Sequence, residues 1–426
     1  MSYSPQKRRT DATKYQRSAA GVGTTTQDIL QWEEDFYQYD LQLSSSAKFL
    51  GADHLLTYGF QGDTTKANYL RTTSSLNHST GQQSFSEASG FANSTTHRND
   101  LYIQDEMTWG DGRFMLTPGV RWANYKIKPS VRDSYDPVPG KEPRNLSSHR
   151  FIPQLGALLR LDDKHSVYAR YAEGFKMPTA QQLYSSNVYP TMVISPNPDL
   201  QPEKVRSYEI GFRGQHDNMA QFDSANYSIG LFKADYKNFI QNFYNIPGTN
   251  HYTYQNLSQL TIWGVEAFGE LAFNHNWSLM GSLAWQHGDQ RASSEAKKQA
   301  YAHIPPLTAV AGVKWRKPEL GLETELIGTF AKGPSRVHNK SEVFTPGGYS
   351  ILDAFVNWSP PNLRKGDGQY VTFSFAINNL LDKRYFSWPM FTTYATSASP
   401  AVAGQNPIEL QTSPGRVFKL GATLRF

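Results

Sequence analysis

Val371-Thr372-Phe373-Ser374-Phe375-Ala376-Ile377-Asn378 alternates without a break, with large apolar residues at the odd positions and small or polar ones between them. A period of two describes a strand with one apolar face. The C-terminus repeats it, setting Phe418, Leu420, Ala422, Leu424 and Phe426 against Lys419, Gly421, Thr423 and Arg425. Tyr208, Ile210 and Phe212 likewise oppose Ser207, Glu209, Gly211 and Arg213. Carried along the chain, the pattern predicts strands near 34–47, 53–70, 97–110, 112–129, 147–161, 165–176, 201–215 and 224–241. It continues near 252–274, 275–290, 304–317, 320–333, 347–360, 368–380 and 413–426, about fifteen in all with ends loose by roughly 2–4 residues.

The connections alternate in length. Gly51-Ala52-Asp53, Gly110-Asp111-Gly112, Asp162-Asp163-Lys164, Asn274-His275-Asn276 and Lys317-Pro318-Glu319 are tight turns, whereas 71–96, 130–146, 177–200, 291–303, 334–346 and 381–412 are long and polar. Short turns on one side and long loops on the other characterise an outer-membrane barrel; a soluble sandwich or propeller has no reason to keep that phase. Many strands also approach the roughly 9–11 residues that cross a bilayer. Trp109, Trp122, Tyr168, Tyr171, Trp358 and Trp388 near strand ends fit interfacial girdles.

Composition agrees. The 426 residues have a mean hydropathy of −0.57, yet 13% are aromatic and only 19% charged, which suits a wall polar inside and apolar outside. There is no cysteine, which excludes disulfide frameworks, thiolate metal sites and cysteine nucleophiles. The net charge of +5 is scattered rather than gathered into a stripe, so nucleic acid is not an expected partner. No Gly-x-Ser-x-Gly or His-Glu-x-x-His occurs, and Glu173 and Glu209 read as carboxylates turned to a polar lumen, so the chain is not read as an enzyme. Met1–Arg9 has basic residues but no apolar core behind them, so no export signal is read there. An odd strand count after a polar leading segment (1–33) predicts the later part of a barrel (34–426) whose first strands are absent.

Asn379-Leu380-Leu381-Asp382-Lys383-Arg384-Tyr385, followed by a closing strand from Gly415-Arg416 to Phe426, resembles the C-terminal signature of TonB-dependent outer-membrane receptors. Within that family two boxes resemble those of the haem and haemoglobin receptors: Phe175-Lys176-Met177-Pro178 and Asn197-Pro198-Asp199-Leu200, the first led in by Tyr168-Ala169-Arg170-Tyr171-Ala172-Glu173-Gly174. The resemblance implies an all-β fold, the last fifteen or so strands of a 22-stranded transmembrane antiparallel barrel, with the family's N-terminal plug absent from this chain. Counted back from the C-terminus, 177–200 becomes the seventh external loop, where the family keeps these boxes. The implied function is import of haem, free or from a haem protein, across the bacterial outer membrane with energy from the TonB complex reached through a plug. Haem is then a transported ligand, not a catalytic cofactor, and outer-membrane lipid and lipopolysaccharide are the surroundings. A ferric-siderophore receptor is the alternative, because Asn-Pro-Asp-Leu before Pro-Glu occurs there too; a surface adhesion barrel without transport is another.

One departure matters. Haem receptors often carry a histidine between the boxes as iron ligand, and none stands between Pro178 and Asn197. Haem iron also accepts a tyrosine phenolate, so the resemblance to tyrosine-ligated members makes Tyr184 or Tyr189 the candidate metal ligand, with packing of the loop as their other reading. Phe175, Met177, Val188 and Met192 are the expected apolar contacts to the porphyrin. Of the eleven histidines, His54, His165, His216 and His275 fall at tight turns and are expected to be solvated, whereas His78, His251, His303 and His338 lie in or beside external loops and are placed to meet haem or its donor. No histidine pair has i, i+4 ligand spacing.

Overall fold

The structure, a computed structural model, describes all residues except 19, 190–191, 219–221, 302, 337–345, 364–369, 388–411 and 426, and only the backbone of Tyr189. Trp388 and His338 lie outside the described residues. In chain order the elements are β1 (Ser2–Arg17), β2 (Gly23–Phe49), β3 (Ala52–Asn77), β4 (Gln83–Ala88), β5 (Asn93–Trp109), β6 (Phe114–Ser130), β7 (Leu146–Arg160) and β8 (His165–Lys176). Then come α1 (Ala180–Tyr184), β9 (Asn187–Tyr189), β10 (Met192–Ile194), β11 (Glu203–Asp217), β12 (Ser224–Asn245), β13 (His251–Phe273) and β14 (Trp277–Arg291). β15 (Gln299–Ala300), β16 (Thr308–Lys317), β17 (Leu322–Ala331), β18 (Tyr349–Trp358), β19 (Tyr370–Asn378) and β20 (Val417–Arg425) complete them. Besides α1, the only helical turns among the described residues are two short 3-10 segments.

β2, β3, β5 to β8, β11 to β14 and β16 to β20 pair in one unbroken antiparallel series, fifteen strands matching the fifteen expected from alternation. Cross-strand partners share a face, and the register builds one outward apolar band: Ile210 opposes Leu231, Leu271 opposes Leu279, Val313 opposes Leu326, and Phe375 opposes Leu420. Many of these side chains are exposed, as lipid-facing residues are. The inner face is polar. Arg121 donates to Asp100 at 3.0 Å and to Gln61 at 2.9 Å, and the Tyr168 hydroxyl donates to Glu209 at 2.6 Å.

Three places in the chain differ from what alternation alone suggests. The polar leading segment 1–33 is largely strand: β1 pairs along its whole length with Gly23–Gln38 of β2. β1 is exposed on both faces, so no apolar alternation announced it. The polar stretch 71–96 is likewise largely a hairpin, with β3 running on to Asn77 and β4 folding back on Arg71–Leu76. Glu173 faces outward, not into the lumen, because it pairs with Arg206 on the face of Tyr171 and Tyr208. Its charge is matched there by Arg150 at 3.0 Å, Arg206 at 3.1 Å and the Tyr171 hydroxyl at 2.7 Å.

Strand lengths show where the sheet leaves the membrane. β16 to β20 have 9 or 10 residues, about what a bilayer requires, whereas β2, β3, β12 and β13 have 22 to 27 and project beyond it at the end of the long connections.

Candidate functional site

The two boxes stand at the two ends of one connection between adjacent strands: the first runs out of the end of β8, and the second lies just before β11. β8 ends in Lys176 and β11 begins at Glu203, and these two residues are register partners. The Glu203 carboxylate accepts from Lys176 Nζ at 3.3 Å and from the Ile240 backbone N–H at 2.9 Å, fastening the base of the 177–202 connection to β12. The connection is folded, not irregular. Thr179 caps α1 in a reciprocal pair with Gln182, whose amide reaches Asn242 at 3.1 Å. β9 and β10 form a small hairpin, and β10 lies parallel to the start of β13. The second box is tied to β13: Asn197 Nδ2 donates to the Tyr254 carbonyl at 2.8 Å, and its backbone N–H returns to the Leu183 carbonyl at 3.0 Å.

This fold encloses a core of its own. Met177, Leu183, Tyr184, Ile194 and Leu200 pack with Phe91, Ala92, Ile127, Tyr135, Ile240 and Tyr254, drawn from β6, β12, β13 and the connections before β5 and after β6. Phe91 and Tyr135 were unremarked in the sequence; Tyr135 is the lone aromatic of the polar stretch 130–146, a contrast that could have found it, whereas Phe91 shares 71–96 with Phe85 and carries no such signal. Pro178 and Pro198 are buried as well, and Phe175 packs at the margin. The boxes therefore act first as staples that hold a compact cap over the wall.

The cap decides which candidates a ligand can reach. Tyr184 is completely buried and its hydroxyl donates to the Arg144 carbonyl at 2.7 Å. Burial pushes that hydroxyl up to about 12, so losing its proton to an iron is disfavoured. Tyr135 donates at 3.0 Å to the Tyr184 carbonyl and is pushed up to about 12 for the same reason. Met177, Pro178 and Leu200 are likewise enclosed. Lys176 and Asp199 remain exposed, Asp199 paired with Arg144, and Asn197 is half-buried. Tyr189 stands at the hairpin tip, its backbone paired with Met192.

One exposed face stands out. Val188 pairs with Val193, and Val193 with His251, so the three share one face of the small β9–β10–β13 sheet. Val188 is 79% exposed and His251 is exposed, and the imidazole makes no hydrogen bond among the described residues. Ile194 on the opposite face is buried in the cap core. His78, by contrast, bonds Thr25 at 2.8 Å, and His303 lies against Tyr301.

Residues 2–380 match the family model described as TonB dependent receptor-like, beta-barrel, and the chain belongs to that family. It is 24% identical over 286 residues to a probable hemoglobin and hemoglobin-haptoglobin-binding protein 4 of Haemophilus influenzae, covering 61% of this chain and 28% of that protein. It is 25% identical to the hemin receptor of Yersinia enterocolitica, covering 79% and 46%. It is also 23% identical to the ferripyoverdine receptor of Pseudomonas aeruginosa, covering 85% and 43%. The chain thus spans less than half the length of these relatives. In fold it is similar to the copper transporter OprC, with a TM-score of 0.72 at 16% identity over 100% of this chain and 62% of that one.

Proposed function

We propose that this chain forms the external mouth and part of the wall of an outer-membrane receptor that takes up haem, free or from a haem protein, with energy delivered by the TonB complex. The observation that carries the reading is the exposed Val188–Val193–His251 face beside the two boxes, an apolar surface with one available imidazole. A porphyrin needs apolar contact for its ring and a nitrogen or phenolate for its iron. His251 is the ligand this face offers, and Tyr189 at the adjoining tip is the tyrosine candidate that remains. Lys176 is an exposed cation at the cap's edge, paired with Glu203 at 3.3 Å, and a propionate would have to share it with that carboxylate. The names carried by two of the relatives, a hemoglobin-binding protein and a hemin receptor, support haem as the class of ligand; the ferripyoverdine receptor supports a siderophore as the second reading.

Haem titrated into the detergent-solubilised chain is expected to give a saturating change in its main absorption band. His251→Ala should weaken binding by at least about tenfold and move the band, because one axial bond is lost. An identical band and affinity in the variant would remove His251 from the iron.

A further inference from the structure

A second group of donors lies at the opposite end of the wall, on its outer face at the short turns. His165 on β8, His216 on β11 and Tyr227 on β12 come together there. His165 Nε2 is 3.2 Å from His216 Nε2 and 2.9 Å from the Tyr227 hydroxyl, and that hydroxyl is 3.2 Å from His216 Nε2. The three atoms form a nearly equilateral triangle. A divalent transition metal bound at about 2.0–2.1 Å in tetrahedral geometry holds its ligands about 3.3 Å apart, so the triangle already has the size of one face of that tetrahedron.

The surroundings set the rings for that use. Asp162 accepts from His165 Nδ1, with both carboxylate oxygens at 2.9 Å, which leaves the Nε2 lone pair directed at the triangle. Such a carboxylate–imidazole pair is the usual orienting partner of a metal-bound histidine. Asp162 is itself fixed by the backbone N–H groups of Lys164 at 2.8 Å and His165 at 2.7 Å. Phe212 stacks on His165 and Tyr227 on His216, with interplanar angles of 16° and 21°. Gly214 is the register partner of both His165 and Tyr227. A Cβ there would lie 2.2–2.5 Å from the Tyr227 ring, so only glycine lets the phenol lie across β11 to reach both imidazoles.

We propose that His165, His216 and Tyr227 form a binding site for one divalent transition-metal ion of the zinc or copper kind, pinning β8, β11 and β12 together at the rim. Among the described residues no group of three His, Cys, Asp or Glu side chains is arranged to hold a metal ion, and here the third donor is a phenol. On binding, two imidazole lone pairs and the phenolate oxygen form bonds to the metal. The phenol proton passes to bulk water, and a water occupies the fourth position. The site is independent of the haem reading.

The test is calorimetric titration of the chelator-treated, detergent-solubilised chain with zinc, followed by copper titration read by absorption. One zinc per chain is expected. His216→Ala, and Gly214→Ala through displacement of Tyr227, should each weaken binding by at least about tenfold, a loss of the size seen when metal shells are disturbed. His149→Ala, at an exposed position elsewhere, should leave it unchanged. Tyr227→Phe should abolish the phenolate-to-copper charge-transfer band. Zinc affinity unaltered by His216→Ala, or no zinc uptake by the wild-type chain, would overturn the assignment. A copper band that survives Tyr227→Phe would overturn the role of the phenol.

Discussion

Leu183→Ala or Leu200→Ala is expected to open the cap, at a cost of about 2–5 kcal/mol each, because both side chains are enclosed and a truncation leaves a cavity. Tyr184→Ala belongs with them at about 3–5 kcal/mol. Tyr184→Phe does not: it keeps the ring and loses one hydrogen bond to the Arg144 carbonyl, worth about 1 kcal/mol. Limited proteolysis separates the cases, with rapid cleavage inside 177–200 for the alanine variants and wild-type resistance for Tyr184→Phe. The same pair separates two roles for Tyr184. A packing residue leaves the absorption of bound haem unchanged in Tyr184→Phe, whereas an iron ligand alters it. The buried, hydrogen-bonded phenol points to packing.

The second large effect concerns the ends of the sheet. Among the described residues β20 has no partner beyond β19, and Tyr39–Phe49 of β2 lies past the reach of β1. Unpaired strand edges recruit other strands, and in lipid each unsatisfied backbone group costs several kcal/mol. The 426-residue chain, purified alone in detergent, is therefore expected to associate edge to edge rather than run as a monomer. Thr423→Lys, which places a charge on β20, should shift the population toward smaller species. Analytical ultracentrifugation checks this, and a stable monomer with heat-modifiable gel mobility would contradict it.

Much of this fold was legible because a membrane wall imposes a strict period of two. Tyr208-Glu209-Ile210 or Phe373-Ser374-Phe375 can satisfy lipid and lumen at once only as strands. Where the sheet rises clear of the membrane that constraint lapses. β1 and the β3–β4 hairpin are polar on both faces, and their pairing could not be read. The boxes were visible as motifs, but their role was not, because Met177 and Leu200, like Tyr184 between them, are buried by Phe91 and Tyr135 from loops and Tyr254 from β13, all distant in sequence. The histidines show the same limit. His54, expected in solvent, is only 4% exposed, stacked on Phe49 and bonded to Asp105 at 2.8 Å. His165 and His216 are engaged with each other and with Tyr227, brought together by register alone.

The reading of the external mouth stands or falls on ligand class. Haem and a ferric siderophore, each titrated into the wild-type chain and followed by ligand absorption and tryptophan fluorescence, test it most directly. The account predicts a saturable change in the haem band at micromolar concentration and no saturable response to the siderophore. Saturation by the ferric siderophore with an unperturbed haem spectrum would contradict it.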